Sequence, residues 1–72
     1  MTPEDFYAEL SDIFEEPVTA GTRFKELSAW SSVTSLSVIM TIEEETGRRP
    51  TPADLLACET AAELFAFTQR ES

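Results

Sequence analysis

The chain has 72 residues, enough for a single domain spanning 1–72, and 42% of them are hydrophobic, which excludes an intrinsically disordered composition. Its 14 acidic and 5 basic side chains leave a net charge of −9, which disfavours nucleic acid and anionic membranes as partners and favours proteins with basic patches. Histidine is absent and cysteine occurs once, so we expect no internal disulfide, no histidine-based catalytic site and no metal centre.

The first helix is indicated by Thr2 and Pro3, an N-cap residue followed by a proline at the first helical position. Apolar side chains then recur at helical spacing: Phe6, Leu10, Ile13 and Phe14. Because Pro17 cannot continue a helix, we expect this one to run to Glu15 or Glu16.

A long connection follows, from residue 18 to residue 30. Loops of this length are uncommon in compact domains unless they are functional or held in place. Phe24 and Leu27 lie within it, and we expect both side chains to insert into the core. The sequence therefore predicts a long first loop with apolar anchors.

The second helix is predicted to begin at Ser31 or Ser32 and to end at Gly47, which suits the left-handed position after a helix. A serine at a helix start has two interpretations. Its hydroxyl can act as the N-cap, which is the more common role. It can also carry a phosphate ester, which the unpaired N–H groups and the positive end of the helix dipole would stabilise.

Two shorter helices are predicted after Pro50. Thr51 and Pro52 repeat the pattern of the first N-terminus, and the segment 60–63 (Thr-Ala-Ala-Glu) predicts a capping box. The first of them carries Leu55 and Leu56, beside which we expect Cys58 to be a small buried hydrophobe. In the last helix, Leu64, Phe65 and Phe67 are predicted to face inward. With no strand signal, the predicted fold is all-α: a four-helix bundle with a long first loop and a short third helix.

The second helix is predicted to have two faces, because each residue advances by about 100° around the axis. Four apolar side chains occupy a broad arc that we assign to the core: Leu36, Val38, Ile39 and Ile42. A half-exposed row lies at the edge of the polar side: Val33, Ser37, Met40 and Glu44. This row is either a docking strip for a partner with a basic rim or simply the periphery of the core.

In order and spacing, these features resemble the acyl carrier proteins, small acidic four-helix carriers with a phosphopantetheine arm. The family motif is Asp-Ser-Leu at the start of the second helix, often after a Gly-Trp or Gly-aliphatic pair, and Trp30-Ser31-Ser32-Val33 occupies that place. The acidic run 43–45, the loop segment 18–27 and Thr60 at the start of the last helix match the family as well. The resemblance covers essentially the whole chain.

The resemblance implies that Ser32 carries a covalent 4′-phosphopantetheine arm, on which an acyl or aminoacyl intermediate is held as a thioester. The chain would then be a free-standing carrier and not an enzyme. Its partners would be a phosphopantetheinyl transferase and the loading and consuming enzymes, with basic patches. The implied partner contacts are Val33, Met40, Glu43 and Glu44, and Ser37 joins them from the row on the second helix.

The sequence departs from the family at three positions. Ser31 stands where the family has aspartate, Val33 is smaller than the usual leucine, and Ser37 replaces an acid found in many carriers. These differences favour a specialised biosynthetic pathway, and a dedicated transferase, over housekeeping fatty acid synthesis.

Two other functions compete with a carrier. One is a carrier-like fold without an arm, acting as an acidic docking module for a basic protein. The other is an unrelated helical interaction domain in which Ser31 and Ser32 only cap the helix. Because residues 1–5 lack the basic and apolar regions of a signal peptide and no apolar run reaches membrane-spanning length, we expect a cytoplasmic protein without a membrane partner. We also expect a monomer.

Overall fold

Residues 2–69 are described by a computed structural model. They form four α-helices, with a short 3-10 helix at Phe24–Glu26 in the first loop and no strand. The helices are α1 (Pro3–Phe14), α2 (Ser32–Thr46), α3 (Pro52–Ala57) and α4 (Ala61–Thr68). The all-α prediction is confirmed, as are the long first loop and the short third helix.

The helix starts follow from local capping. Thr2, Ser31, Thr51 and Thr60 are the N-caps, and each side chain accepts a hydrogen bond from the backbone N–H three residues later. The predicted capping box at 60–63 is only half correct. Glu63 Oε1 accepts from the N–H of Glu59 at 3.0 Å, one residue before the cap, so the reciprocal bond of the box is replaced.

The helix ends show one small difference from the prediction. Gly47 terminates α2 in the left-handed conformation, with φ at 76°, as its position after the acidic run predicts. Helix α1 ends at Phe14, and Glu15 takes the left-handed conformation that a glycine more often adopts, with φ at 57°. The helix is therefore one or two residues shorter than predicted.

The core draws on all four helices and on the first loop. Phe24 from the loop is fully buried as predicted, whereas Leu27 is only half-buried against the core. Cys58 is buried, as predicted for a small hydrophobe. The other buried apolar residues are Phe6, Leu10, Phe14, Val18, Val38, Ile39, Ile42, Leu55, Ala61 and Leu64.

Leu36 does not face the core, so its assignment to the core is wrong, and Leu56 of the short third helix is exposed as well. They are 46% and 59% exposed. At 100° per residue, Leu36 lies about 120° from Ile42 around α2, at the margin of the apolar arc. Helix α3 has only six residues and buries Leu55 alone, so the adjacent Leu56 is left on the surface.

The first loop is joined to the last two helices. The N–H groups of Ala61 and Ala62, which have no partner within α4, donate to the carbonyl oxygens of Thr22 and Ala20 at 3.0 and 2.9 Å. Lys25 Nζ donates to the carbonyl oxygen of Leu56 in α3 at 2.6 Å. The loop is thus held by backbone hydrogen bonds as well as by Phe24.

In the described part of the chain, none of the helices combines the length and apolar character needed to cross a bilayer.

Candidate functional site

The start of α2 assigns different roles to the two adjacent serines. Ser31 is the N-cap, in extended conformation, and its Oγ accepts from the N–H of Thr34 at 3.2 Å. Thr34 Oγ1 accepts in return from the N–H of Ser31 at 2.8 Å and donates to the carbonyl oxygen of Ala29 at 2.8 Å. The Ser31 hydroxyl is therefore part of a capping box, a reciprocal arrangement that stabilises the helix start.

Ser32 is the first residue of α2 and is exposed. Its carbonyl oxygen accepts a hydrogen bond from Ser35 Oγ at 3.0 Å, whereas no group within residues 2–69 bonds its hydroxyl. The hydroxyl can thus react or be substituted without breaking a contact of the fold. A phosphate ester at this place would lie at the positive end of the helix dipole.

Trp30 connects this helix start to the core. Its ring lies 5.5 Å from that of Phe24 and 6.1 Å from that of Phe14, measured between centroids. The backbone N–H of Trp30 donates to the carbonyl oxygen of Leu27 at 3.0 Å. Because Phe14 and Phe24 are buried, these contacts determine where the chain enters α2 and hence where Ser32 is presented.

A groove of about 230 Å³ opens beside Ser32, between the start of α2 and α3. One side is polar and the rest is formed by apolar side chains. Its lining residues are Trp30, Ser31, Ser32, Ser35, Pro52, Leu55 and Leu56. A group attached to Ser32 would find apolar surface next to its point of attachment.

Three of the four residues of the predicted docking strip are exposed, Val33, Met40 and Glu44. Val33 is 73% and Met40 is 50% exposed, in agreement with the half-exposed row predicted from the sequence. Ser37 is half-buried, and its Oγ donates to the carbonyl oxygen of Val33 at 3.3 Å. Glu44 is exposed. The role of the strip in partner binding stays a prediction.

Two residues of this surface were missed by the sequence analysis, Leu36 and Leu56. Together with Val33 and Met40 they form what we call the apolar patch, the large hydrophobic side chains most exposed within residues 2–69. Leu36 lies one helical turn from both Ser32 and Met40, a spacing that could have indicated it. Leu56 carried no such signal, because either leucine of the adjacent pair could have been the buried one.

The two acidic residues beside the patch, Glu43 and Glu44, differ in whether a basic side chain pairs with them. Arg49 Nη1 lies 3.2 Å from Oε1 of Glu43, whereas no described basic side chain is within ion-pair distance of Glu44. The basic residues of the described segment all lie outside the four α-helices: Arg23, Lys25, Arg48 and Arg49. The charged side chains of α2 are therefore all acidic.

No family model, no curated protein and no solved structure matches the chain. The assignment of a function therefore depends on the geometry of Ser32 and of the surface beside it.

Proposed function

We propose that the protein is a free-standing carrier that holds an acyl or aminoacyl intermediate as a thioester on a 4′-phosphopantetheine arm at Ser32. The division of roles at the start of α2 carries this proposal. Ser31 caps the helix, so the hydroxyl of Ser32 is left exposed and without a partner in the described chain. A serine needed only for capping would not require a second serine beside it.

The electrostatics of the site suit the attached group. In the attachment reaction, Ser32 Oγ would lose its proton and bond to the phosphorus next to the pantetheine of coenzyme A, while the pyrophosphate linkage breaks and adenosine 3′,5′-bisphosphate leaves. The resulting phosphodiester keeps a negative charge, which the N-terminus of α2 stabilises through its unpaired N–H groups and dipole. The thiol at the end of the arm would hold the cargo.

The architecture supports a carrier over an unrelated helical domain. The resemblance to acyl carrier proteins requires a long first loop and a short third helix, and both are present. Phe24 of that loop packs against the ring of Trp30, and this contact positions the chain where it enters α2. The short α3 leaves Leu56 exposed beside the groove.

The surface beside Ser32 suits partner enzymes with an apolar contact and a basic rim. The apolar patch would form the centre of such an interface, and Glu44 its acidic edge. We assign this surface to the phosphopantetheinyl transferase and to the enzymes that load and consume the cargo. The requirement for coenzyme A implies a cytoplasmic location.

The test is intact-mass spectrometry after incubation with coenzyme A and a broad-specificity phosphopantetheinyl transferase. We expect the wild type to gain one phosphopantetheine and Ser32→Ala to gain none, with an unchanged helical circular dichroism spectrum. Ser31→Ala is the matched control: it should lose about 1 kcal/mol of stability through the lost cap but still be modified.

Two outcomes would contradict the proposal. Modification that persists in Ser32→Ala but disappears in Ser31→Ala would move the attachment site by one residue. A wild type that is never modified, even by a transferase encoded near it, would favour an arm-less acidic docking module. The exposure of the apolar patch favours that second function, since the patch does not depend on an arm.

A further inference from the structure

Glu43, one of the proposed partner contacts, is already occupied by a cation of the same chain. Arg49 Nη1 donates to Glu43 Oε1 at 3.2 Å, and both side chains are about half-exposed, at 58% and 45%. The next residue, Glu44, has no such partner within residues 2–69. Two adjacent carboxylates on the same helix end therefore differ in their availability to a partner.

Arg49 reaches Glu43 because of the turn that ends α2. Gly47 adopts the left-handed conformation, and its N–H donates to the carbonyl oxygen of Glu43 at 2.8 Å. The N–H of Arg48 then donates to Thr46 Oγ1 at 3.2 Å, and Pro50 is buried just beyond. Arg49 is thus held between a hydrogen-bonded turn and a buried proline, next to the helix it pairs with.

We propose that Arg49 is an internal competitor that masks Glu43 and lowers the affinity of the docking surface for basic partners. A basic side chain of a partner meets Glu44 directly but gains Glu43 only by displacing Arg49. The inference rests on the proposed function, because it concerns the same partner surface. It specifies how that surface would be tuned for transient rather than tight binding.

The size of the effect follows from the exposure of the pair. Exposed ion pairs contribute little to stability, so displacing Arg49 should weaken partner binding only about two- to fivefold. The effect should be largest at low salt, because ions screen exposed charges. A carrier that must leave each enzyme after delivery benefits from such a limit on affinity, since weaker binding mostly means faster release.

The test compares four proteins: the wild type, Arg49→Gln, Arg23→Gln and the double variant Glu43→Gln/Arg49→Gln. Arg23→Gln is the matched control, because Arg23 is similarly exposed and pairs with Glu26 and Glu59, outside α2. The double variant keeps the net charge of the wild type. Melting temperatures verify that all four are folded.

Two probes are used. The first is the KM of each protein as substrate of the broad-specificity phosphopantetheinyl transferase. The second is the affinity for a synthetic amphipathic helical peptide of leucine and lysine, which does not depend on Ser32. We expect Arg49→Gln to lower the KM and to tighten peptide binding about two- to fivefold at low salt, and the double variant to return near the wild type.

The outcomes separate this inference from the proposed function. A gain in Arg49→Gln no larger than that in Arg23→Gln would show a general charge effect and overturn the role of Arg49. A double variant that retains the full gain would show that Glu43 is not involved. If Ser32 is never modified while Arg49→Gln still tightens peptide binding, the carrier function fails and the masking of Glu43 stands.

Discussion

At the scale of single residues, the pair Ser31 and Ser32 carries most of the functional argument. Their hydroxyls are chemically identical, yet only that of Ser31 is committed to the capping box with Thr34. In the family that the chain resembles, the position of Ser31 holds an aspartate. Here that position contributes a neutral cap, so the proposed attachment site has no adjacent carboxylate while the helix start is kept.

We predict that Ser31→Asp accelerates attachment of phosphopantetheine to Ser32. Aspartate and serine are comparable N-caps, and a negative charge suits a helix N-terminus, so the fold should be unaffected. A carboxylate can form a charge-assisted hydrogen bond with a basic side chain of the transferase. If it restores about 1.4 kcal/mol, the rate rises about tenfold, as followed in a time course of mass spectra.

The control for this prediction is Ser28→Asp, which adds the same charge at an exposed loop position. It should change the rate little beyond general electrostatic attraction. Equal rates for the wild type and Ser31→Asp would mean that Ser31 does not limit the reaction, and would direct attention to Val33 and Ser37.

At the scale of elements, α3 is the helix with the fewest attachments to the core. It has six residues, and Leu55 is its only buried side chain. Helix α3 is also joined to the first loop by the hydrogen bond from Lys25 Nζ to the carbonyl oxygen of Leu56. Because α3 forms one wall of the groove beside Ser32, the first loop influences the shape of that groove.

We predict that Lys25→Met loosens α3 without unfolding the protein. Methionine keeps an apolar stem of similar length but cannot donate the hydrogen bond to Leu56. Because this hydrogen bond is exposed to solvent, it should contribute only about 1 kcal/mol, so amide exchange at Leu55 and Cys58 should accelerate about three- to tenfold.

Exchange at Leu64 in α4 serves as the internal reference and should be unchanged. Uniform acceleration in α3 and α4 would mean that Lys25 supports the whole fold. No acceleration at Leu55 would mean that α3 is held by Leu55 alone.

At the scale of the whole molecule, the stability of the fold depends on how the charges are distributed as well as on the net charge of −9. The four α-helices carry only acidic charges, and the described basic residues lie in the connections between them, Lys25 in the short 3-10 helix of the first loop. The three ion pairs of the described chain engage Glu26, Glu43 and Glu59, so every acid of α1 lacks a described basic partner within ion-pair distance. Repulsion between these acids should reduce stability.

We predict that the melting temperature rises between low salt and about 0.1 M sodium chloride, where the Debye length is about 10 Å. Glu9→Gln removes one exposed acid from α1 and should raise the melting temperature at low salt while reducing its salt dependence. A melting temperature that is flat or falls with added salt would show that the acids are compensated locally.

Local signals in the sequence were sufficient for most of the fold. Thr2 and Pro3, Thr51 and Pro52, and Gly47 predicted helix limits to within one or two residues, because each acts on backbone groups close to it. The exposure of Val33 and Met40 was also predicted correctly, since both lie far from the centre of the apolar arc of α2. The local pattern placed a serine pair at the start of α2, and the resemblance to acyl carrier proteins singled out Ser32 as the candidate site.

The sequence by itself therefore determined the helices, their caps and the position of the serine pair, because these depend on residues within one turn of each other. Only the tertiary structure decided that Leu36 and Leu56 are exposed, that Arg49 pairs with Glu43, and that Lys25 donates a hydrogen bond to the carbonyl oxygen of Leu56 in α3. These features depend on how far the short α3 extends over α2 and on where the loops bring cations. Periodicity within one element contains no information about the neighbour that covers it.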